Sequence, residues 1–252
     1  MRLLLHEVRA EQRRFWRNRE AAIFTFFLPV LFFLIFGAVY GDTLMKREGN
    51  IKATWFLEAG MIGYGVASTC FAGLAITLVI RRESGVLKRV RSTPLPAATY
   101  LAAMLTSTVI VFAIEAAIIV AVGRLAYGVP LPDRVLSLLV VLVLGAVAFA
   151  ALGVGLTGFI RSAEGSSAVV NVVFLPMAII SGTFFTPKGY PALLRWIAEA
   201  SPLTHYTRLT RDVIVRHEEF WSHGTSIAVV LGWGAVGLIG ALRGFRWQPR
   251  EN

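Results

Sequence analysis

The histidines are the first place to look for chemistry in this chain, and their spacing offers none. His6, His205, His217 and His223 never fall in the paired helical spacing of a metalloprotease, and the run HEEFW at 217–221 lacks the second imidazole. Cys70 is the single cysteine, so no disulfide forms within the chain and no cysteine cluster holds a metal. A G-x-S-x-G nucleophile elbow is missing, as is a pair of acids at membrane depth for an intramembrane protease or lipid-processing enzyme. No G-x-x-x-x-G-K-[ST] loop is present to cradle phosphates, so if ATP powers this protein another chain binds it. One acid stands out: Glu115, in the apolar run VIVFAIEAAIIVAV. A charge in mid-membrane costs ~2.5–3.5 kcal/mol, so such a side chain is expected to face the protein interior or a wet cavity. It suits a cationic or zwitterionic substrate or a proton, and equally a hydrogen bond between helices that only fixes packing.

The elements that hold Glu115 are membrane helices. The chain has 252 residues, 56% of them hydrophobic and only 16% charged, with a mean hydropathy of +0.66. Several apolar runs reach the roughly 18–20 residues needed to cross a ~30 Å hydrocarbon layer. Six spans are predicted, at 20–40, 58–80, 99–123, 135–160, 165–182 and 224–242. All are expected to be helices, because backbone in lipid must satisfy its own hydrogen bonds, and the alternation of barrel strands is absent. The fold class is therefore an all-α polytopic membrane protein, a single transmembrane domain over 1–252. The fifth span carries Asn171 and Pro176, and Asn171 is a second polar candidate for a substrate pathway.

An even number of spans puts both termini on one side. Fifteen of the 25 Lys and Arg residues fall there, in 1–19, 81–98, 161–164 and 243–252, which makes that side cytoplasmic by the positive-inside rule. Residues 1–19 form no signal peptide: the stretch is long, carries acids, and no cleavage site follows the first apolar run. Leu4, Val8, Phe15 and Trp16 share one side, with Arg9, Arg13 and Arg17 on another, so a helix in the membrane interface is expected. The same cations also orient the first span. In span two, Gly65, Thr69, Gly73 and Thr77 recur every fourth residue, a face suited to close helix packing.

Two loops are too structured to be plain connections. In 81–96, RRESGVLKRVRSTPLP, Gly85 permits a bend, Val86, Leu87 and Val90 make a small apolar face among cations, and Pro94 and Pro96 stop the helix. A lipid-binding basic loop needs no such bend and stop, and a nucleic-acid site needs stacking aromatics that are missing. A docking helix for a cytoplasmic partner uses every feature. In 183–222, Leu193, Leu194, Trp196 and Ile197 alternate with Arg195 and Glu199 at helical spacing, and Ser201-Pro202 ends one helix and starts the next. Two short helices, re-entrant or lying in the outer leaflet, are expected there. Phe184, Phe185, Tyr190, Trp196, Tyr206 and Trp221 suit the membrane interface.

These motifs resemble a known family. Arg82-Glu83-Ser84-Gly85-Val86-Leu87-Lys88-Arg89-Val90-Arg91-Ser92-Thr93-Pro94-Leu95 is similar to the segment between spans two and three of the membrane subunits of ABC type-2 exporters, with Val90 in place of the usual leucine. Phe174-Leu175-Pro176, Ser181-Gly182-Thr183-Phe184-Phe185, Pro187, Pro191, Trp196 and Ser201-Pro202-Leu203-Thr204 resemble that family's extracellular re-entrant region. The resemblance covers almost the whole chain. It implies a multi-pass plasma-membrane permease that binds no cofactor itself. ATP and Mg would sit on a partner ATPase subunit, and a second permease would complete a homodimer or heterodimer in membrane lipid. It also implies coupling through Glu83 and Gly85, with Arg82, Leu87 and Arg89 as the contact surface. The re-entrant region would be marked by Ser181, Gly182, Phe184, Phe185, Pro187 and Pro202. Spans rich in Ala, Val, Leu, Ile and Gly favour a compact amphipathic substrate over a glycan. By analogy with actinobacterial permeases of this type, that substrate is an antibiotic, fluoroquinolone-like drugs among the candidates. The alternatives are an exporter of lipid-linked glycan or lipid, and a proton-coupled secondary transporter using Glu115.

Overall fold

The computed structural model describes residues 2–41, 43–245 and 247–248. Expectations for Met1 in the 1–19 helix, for Asp42 in the first loop, and for Arg246 and 249–252 in the cationic tail lie outside the described residues.

Helix α1 (Arg2–Arg17) stops at Asn18, whose side chain accepts from the Ala21 amide and so caps α2 (Arg19–Tyr40). Two short antiparallel strands follow, β1 (Leu44–Met45) and β2 (Ile51–Lys52), joined through Gly49 and Asn50, both at positive φ. Among the described residues they are the one departure from an all-helical reading: paired strands this short show no alternation that a sequence could reveal. The second span is a single helix, Ala53–Glu83, made of α3 (Ala53–Gly65), a π-helical stretch Val66–Gly73, and α4 (Leu74–Glu83). After it come α5 (Val86–Arg91), α6 (Ala97–Tyr127), α7 (Val135–Thr157) and α8 (Ala163–Ile180). The chain closes with α9 (Ala192–Ala200), α10 (Pro202–Val215) and α11 (Gly224–Gly244). Among the described residues, six helices are long and apolar enough to cross a membrane: Arg19–Tyr40, Ala53–Glu83, Ala97–Tyr127, Val135–Thr157, Ala163–Ile180 and Phe220–Gly244. The protein is a multi-pass, nearly all-α membrane protein.

The second span is its axis, packed on α2, α6, α7, α8 and α10. Glycines let the neighbours reach its backbone. A Cβ on Gly153 of α7 would come 2.6 Å from the Phe71 carbonyl oxygen. At the other flank of α7, Gly155 lies so close to α11 that its Cβ would meet the Gly237 carbonyl oxygen at 2.6 Å. Close approach of this kind is how helices gain packing energy in lipid, where no hydrophobic force drives them together. The small face of span two behaves differently from expectation. Gly65 packs against Glu115 of α6, but Thr69, Gly73 and Thr77 line an open cavity. In π winding the hydrogen bonds run i→i+5, so residues four apart no longer stack in one row, although Thr69 still reaches α6 by donating to Glu115.

α10 is buried almost throughout, against α3, α7 and α11, rather than lying at the surface. Thr210 donates to the Tyr206 carbonyl and Thr207 to that of Ser181, while the buried hydroxyls of Thr204 and Tyr206 have no hydrogen-bond partner among the described residues. α9 keeps Leu193 and Trp196 exposed.

Gly237→Ala is expected to destabilise the protein by about 1–3 kcal/mol, because a methyl there overlaps the α7 backbone at Ala151 and Leu152. Gly232→Ala, with open space around it, is the neutral control. Thermal unfolding of the purified variants in detergent checks both.

Candidate functional site

The 81–96 segment is built on two arginines that end α4. Arg81 forks onto Glu11 of α1, Nη1 to Oε1 at 2.9 Å and Nη2 to Oε2 at 2.7 Å, and also donates to the Tyr100 hydroxyl at 2.7 Å. Arg14 adds a second cation to the buried Glu11. Gln12 donates to the Ser107 carbonyl at 2.9 Å, fixing α1 to α6. The N-terminal helix and α4 are therefore one mechanical unit, joined by a bidentate pair. No sequence signal pairs Glu11 with Arg81, since the two lie far apart in the chain.

Arg82 is 1% exposed. Its Nη1 donates to the Thr157 carbonyl at 2.9 Å, its Nη2 to that of Ile160 at 2.6 Å, and its Nε to Glu83 at 2.7 Å. The end of α7 leaves carbonyls without helical partners and carries negative partial charge, and the guanidinium answers both. Gly85 then takes φ +72°, a left-handed conformation that favours glycine, and its N–H closes the α4 end on the Arg82 carbonyl. In α5, Leu87 is fully buried and Val90 packs on the core, while Lys88, Arg89 and Arg91 are exposed. This corrects the expected contact surface: Arg82 and Leu87 point inward and anchor the segment. Arg89 and the neighbouring cations are exposed, while Glu83 is half-buried against Arg82.

Glu115 is 1% exposed, and its Oε2 accepts from Thr69 Oγ1 at 2.7 Å while Oε1 has no partner. Asn171 is half-buried on α8, and no hydrogen bond joins it to Glu115 among the described residues. A second acid escaped the sequence reading. Glu58 lies inside the second span because that helix starts at Ala53; it is fully buried, and neither carboxyl oxygen has a hydrogen-bond partner. It sits directly on Gly123, while Glu115 sits on Gly65, so α3 and α6 each seat the other's acid on a glycine. Glycines 65 and 123, each about two turns from its own helix's acid, were the available clue.

Next to Thr69 is a cavity of about 440 Å³ bounded by α1, α2, the second span and α6. Glu11, Arg14 and Arg81 stand at one end and Tyr64, Ser68 and Thr69 at the other.

At the opposite end of the bundle, Ser181 and Thr183 are buried and share a hydroxyl contact at 3.0 Å. Gly182 takes φ +82° and offers its carbonyl to Arg211 at 2.9 Å. Phe184 lies among Phe32, Phe36 and Tyr64, with ring centroids 5.8, 5.3 and 6.1 Å away; Phe185 is half-exposed. Pro187 is buried at the start of a short turn, and Pro202 opens α10. Arg211 stacks over Phe56 at 3.8 Å. Burial depresses its pKa to about 10, against the pull of Glu48 and Asp212, so it stays cationic at neutral pH. Glu48 pairs with Lys188 at 3.1 Å and accepts from Thr186, tying the β1–β2 hairpin to this region. Burial raises the Glu48 pKa, but the Thr186 hydrogen bond, Arg211 and Lys188 together outweigh it and bring it below the ordinary value.

A carboxyl depressed on folding adds stability that is present above its ordinary pKa and fades as pH falls through the folded value. Wild type is therefore expected to melt above Glu48→Gln at pH ~7, with the gap shrinking as pH falls below ~4.5 and through the depressed folded value. Paired melting curves at those pH values check it.

The family model described as ABC-2 type transporter matches residues 3–215. A Bacillus subtilis (strain 168) protein carrying the name transport permease YvfS is 25% identical over 208 residues, covering 82% of this chain and 83% of its own. The daunorubicin resistance ABC transporter permease protein DrrB1 of Streptomyces coeruleorubidus is 26% identical over 216 residues, 83% of this chain and 74% of that one. An Escherichia coli (strain K12) protein carrying the name multidrug ABC transporter permease YbhR is 19% identical over 167 residues, 66% of this chain and 45% of its own.

Proposed function

Since this chain belongs to the ABC-2 type transporter family, we propose that it is the permease subunit of an ATP-driven exporter that moves a compact amphipathic compound, an antibiotic, out across the plasma membrane. A partner ATPase subunit supplies nucleotide and Mg, consistent with the lack of a phosphate loop here. Two permeases, identical or paired with a sister chain, form the pathway between them. In this reading both termini and 81–96 face the cytoplasm, which the charge bias supports.

One observation carries the coupling role: α5 is a short helix pinned inward by Leu87 and by Arg82 of α4, with cations left outside. A segment so anchored transmits a push instead of yielding to it. The push enters at Glu83, Gly85 and Arg89 and passes through Arg81 to α1 and through Arg82 to α7. The drug class rests on relatives whose names record daunorubicin resistance and multidrug transport, and on spans with few charges. Planar amphipathic antibiotics, fluoroquinolone-like compounds included, are the first to test.

In proteoliposomes with its ATPase subunit, the wild type is expected to show drug-stimulated ATP hydrolysis. Glu83→Gln, which keeps an acceptor for the Nε of the buried Arg82, is expected to fold and insert normally yet lose most of that stimulation, about tenfold or more. Arg82→Ala is expected instead to lower the melting temperature, because the Thr157 and Ile160 carbonyls lose charge-assisted bonds of about 1.5–3 kcal/mol each. Full coupling in the Glu83 variant, or drug moving down a proton gradient with no ATPase present, would overturn the assignment.

A further inference from the structure

The cavity beside Thr69 has a chemical bias that the exporter reading does not use. Four hydroxyls on its wall have already committed their hydrogens: Thr25 to the Ala21 carbonyl at 2.8 Å, Ser68 to that of Gly65 at 3.2 Å, Thr108 to that of Met104 at 3.0 Å, and Thr69 to Glu115 at 2.7 Å. A hydroxyl whose single hydrogen is engaged can still accept but no longer donate. Tyr64, Thr77 and Ser107 keep a hydrogen to give, so the wall is biased toward accepting without being exclusive. Behind Thr69 stands the Glu115 carboxyl, one oxygen of which has no partner. A donor group placed on Thr69 therefore meets an oxygen backed by an acid.

The other end is reversed in sign. Arg14 and Arg81 share a single counter-charge, Glu11, which leaves the mouth with one net positive charge. A ligand's acceptor groups belong at that mouth and its donors at the deep end. The volume, about 440 Å³, lies within the ~300–1,000 Å³ of sites for drug-sized molecules. Between the two ends run Phe24, Leu28, Pro29, Leu74 and Val111, an apolar middle.

We propose that this cavity binds amphipathic amines, with the amine on Thr69 in front of Glu115, the apolar body between α2 and the second span, and any carbonyl or carboxylate at the Arg14–Arg81 mouth. The inference rests on the exporter reading only for the purpose of the site; binding itself needs no ATPase. The amine is held by neutral acceptors and one acid set behind them, an arrangement that binds without trapping.

The test uses the full chain in lipid nanodiscs without its ATPase. The probes are a dansyl fluorophore on an alkyl chain ending in a primary amine, and the same chain ending in methyl. Wild type is expected to bind the amine saturably and about tenfold more tightly than the methyl analogue. Thr69→Val, which keeps shape and removes the acceptor, is expected to erase that preference. Thr108→Val, whose bond lies within its own helix, is expected to reduce it with no other side chain left unpaired, which guards against a folding failure in the first variant. Gly73→Leu is expected to block both probes by filling the cavity. Equal binding of the two probes would overturn the proposal and mark the cavity as a slot for lipid chains. So would an unchanged preference in both valine variants. Amine binding that follows these rules in a protein showing no ATP-driven export would keep the site and discard the exporter reading. ATP-driven export by a wild type that binds the two probes equally would do the reverse.

Discussion

A helix enclosed by other helices along most of its length can neither turn polar groups to water nor hide them in lipid headgroups, so each must find its place against a neighbour. The second span imposes that constraint on this protein. Its backbone is approached at Gly60 by Thr183, at Gly63 by Thr207 and at Phe71 by Gly153, which sets where the 181–187 turn, α10 and α7 can stand. Its polar side chains fix the remaining distances. Glu58 requires a glycine at 123, Thr69 requires Glu115, and Arg82 requires the last carbonyls of α7.

The two ends of that axis are fastened differently. At the 81–96 end the fastening is ionic and crosses to α1 through one bidentate pair, with Arg14 completing it. Such a pair is strong only while it is dry and well aligned, and breaking it leaves Glu11 buried with less compensation. At the far end the links are mostly neutral: backbone carbonyls meeting threonine hydroxyls, aromatic edges around Phe184, and one arginine resting on a phenyl ring. The first end is thus one stiff, specific joint, while the second is held by many small contacts.

What could be read from the sequence was what has a local cause. Spans announce themselves by twenty apolar residues, Gly85 by its place between two helical runs, and the α9–α10 break by Ser201-Pro202. The inward turn of Arg82 was hidden because its partners are carbonyls of a helix some seventy-five residues away, and a carbonyl has no sequence signature. Leu87 was read as contact surface on the resemblance, because the apolar face it makes with Val86 and Val90 does not say whether it meets a partner or the bundle. Glu58 was missed through a boundary: whether an acid lies in the headgroup layer or inside the bundle turns on where the helix begins, and Thr54-Trp55-Phe56-Leu57 gives no sharp start. The β1–β2 hairpin is set by Gly49 and Asn50 and by Glu48 reaching Lys188, long-range facts that four strand residues cannot foretell.

The π stretch from Val66 to Gly73 gives the axis a torsional character. Each residue that passes between π and α winding rotates everything beyond it by the difference between the two windings' angles per residue. Neither end of the span is free to follow such a rotation: Gly60 and Gly63 are wedged against Thr183 and Thr207, and Arg81 and Arg82 are fastened to α1 and α7. Twist introduced at the arginines therefore has one place to accumulate, the wide turns around Thr69, so the span works as a clamped torsion bar whose softest section carries the only hydroxyl bonded to Glu115 among the described residues.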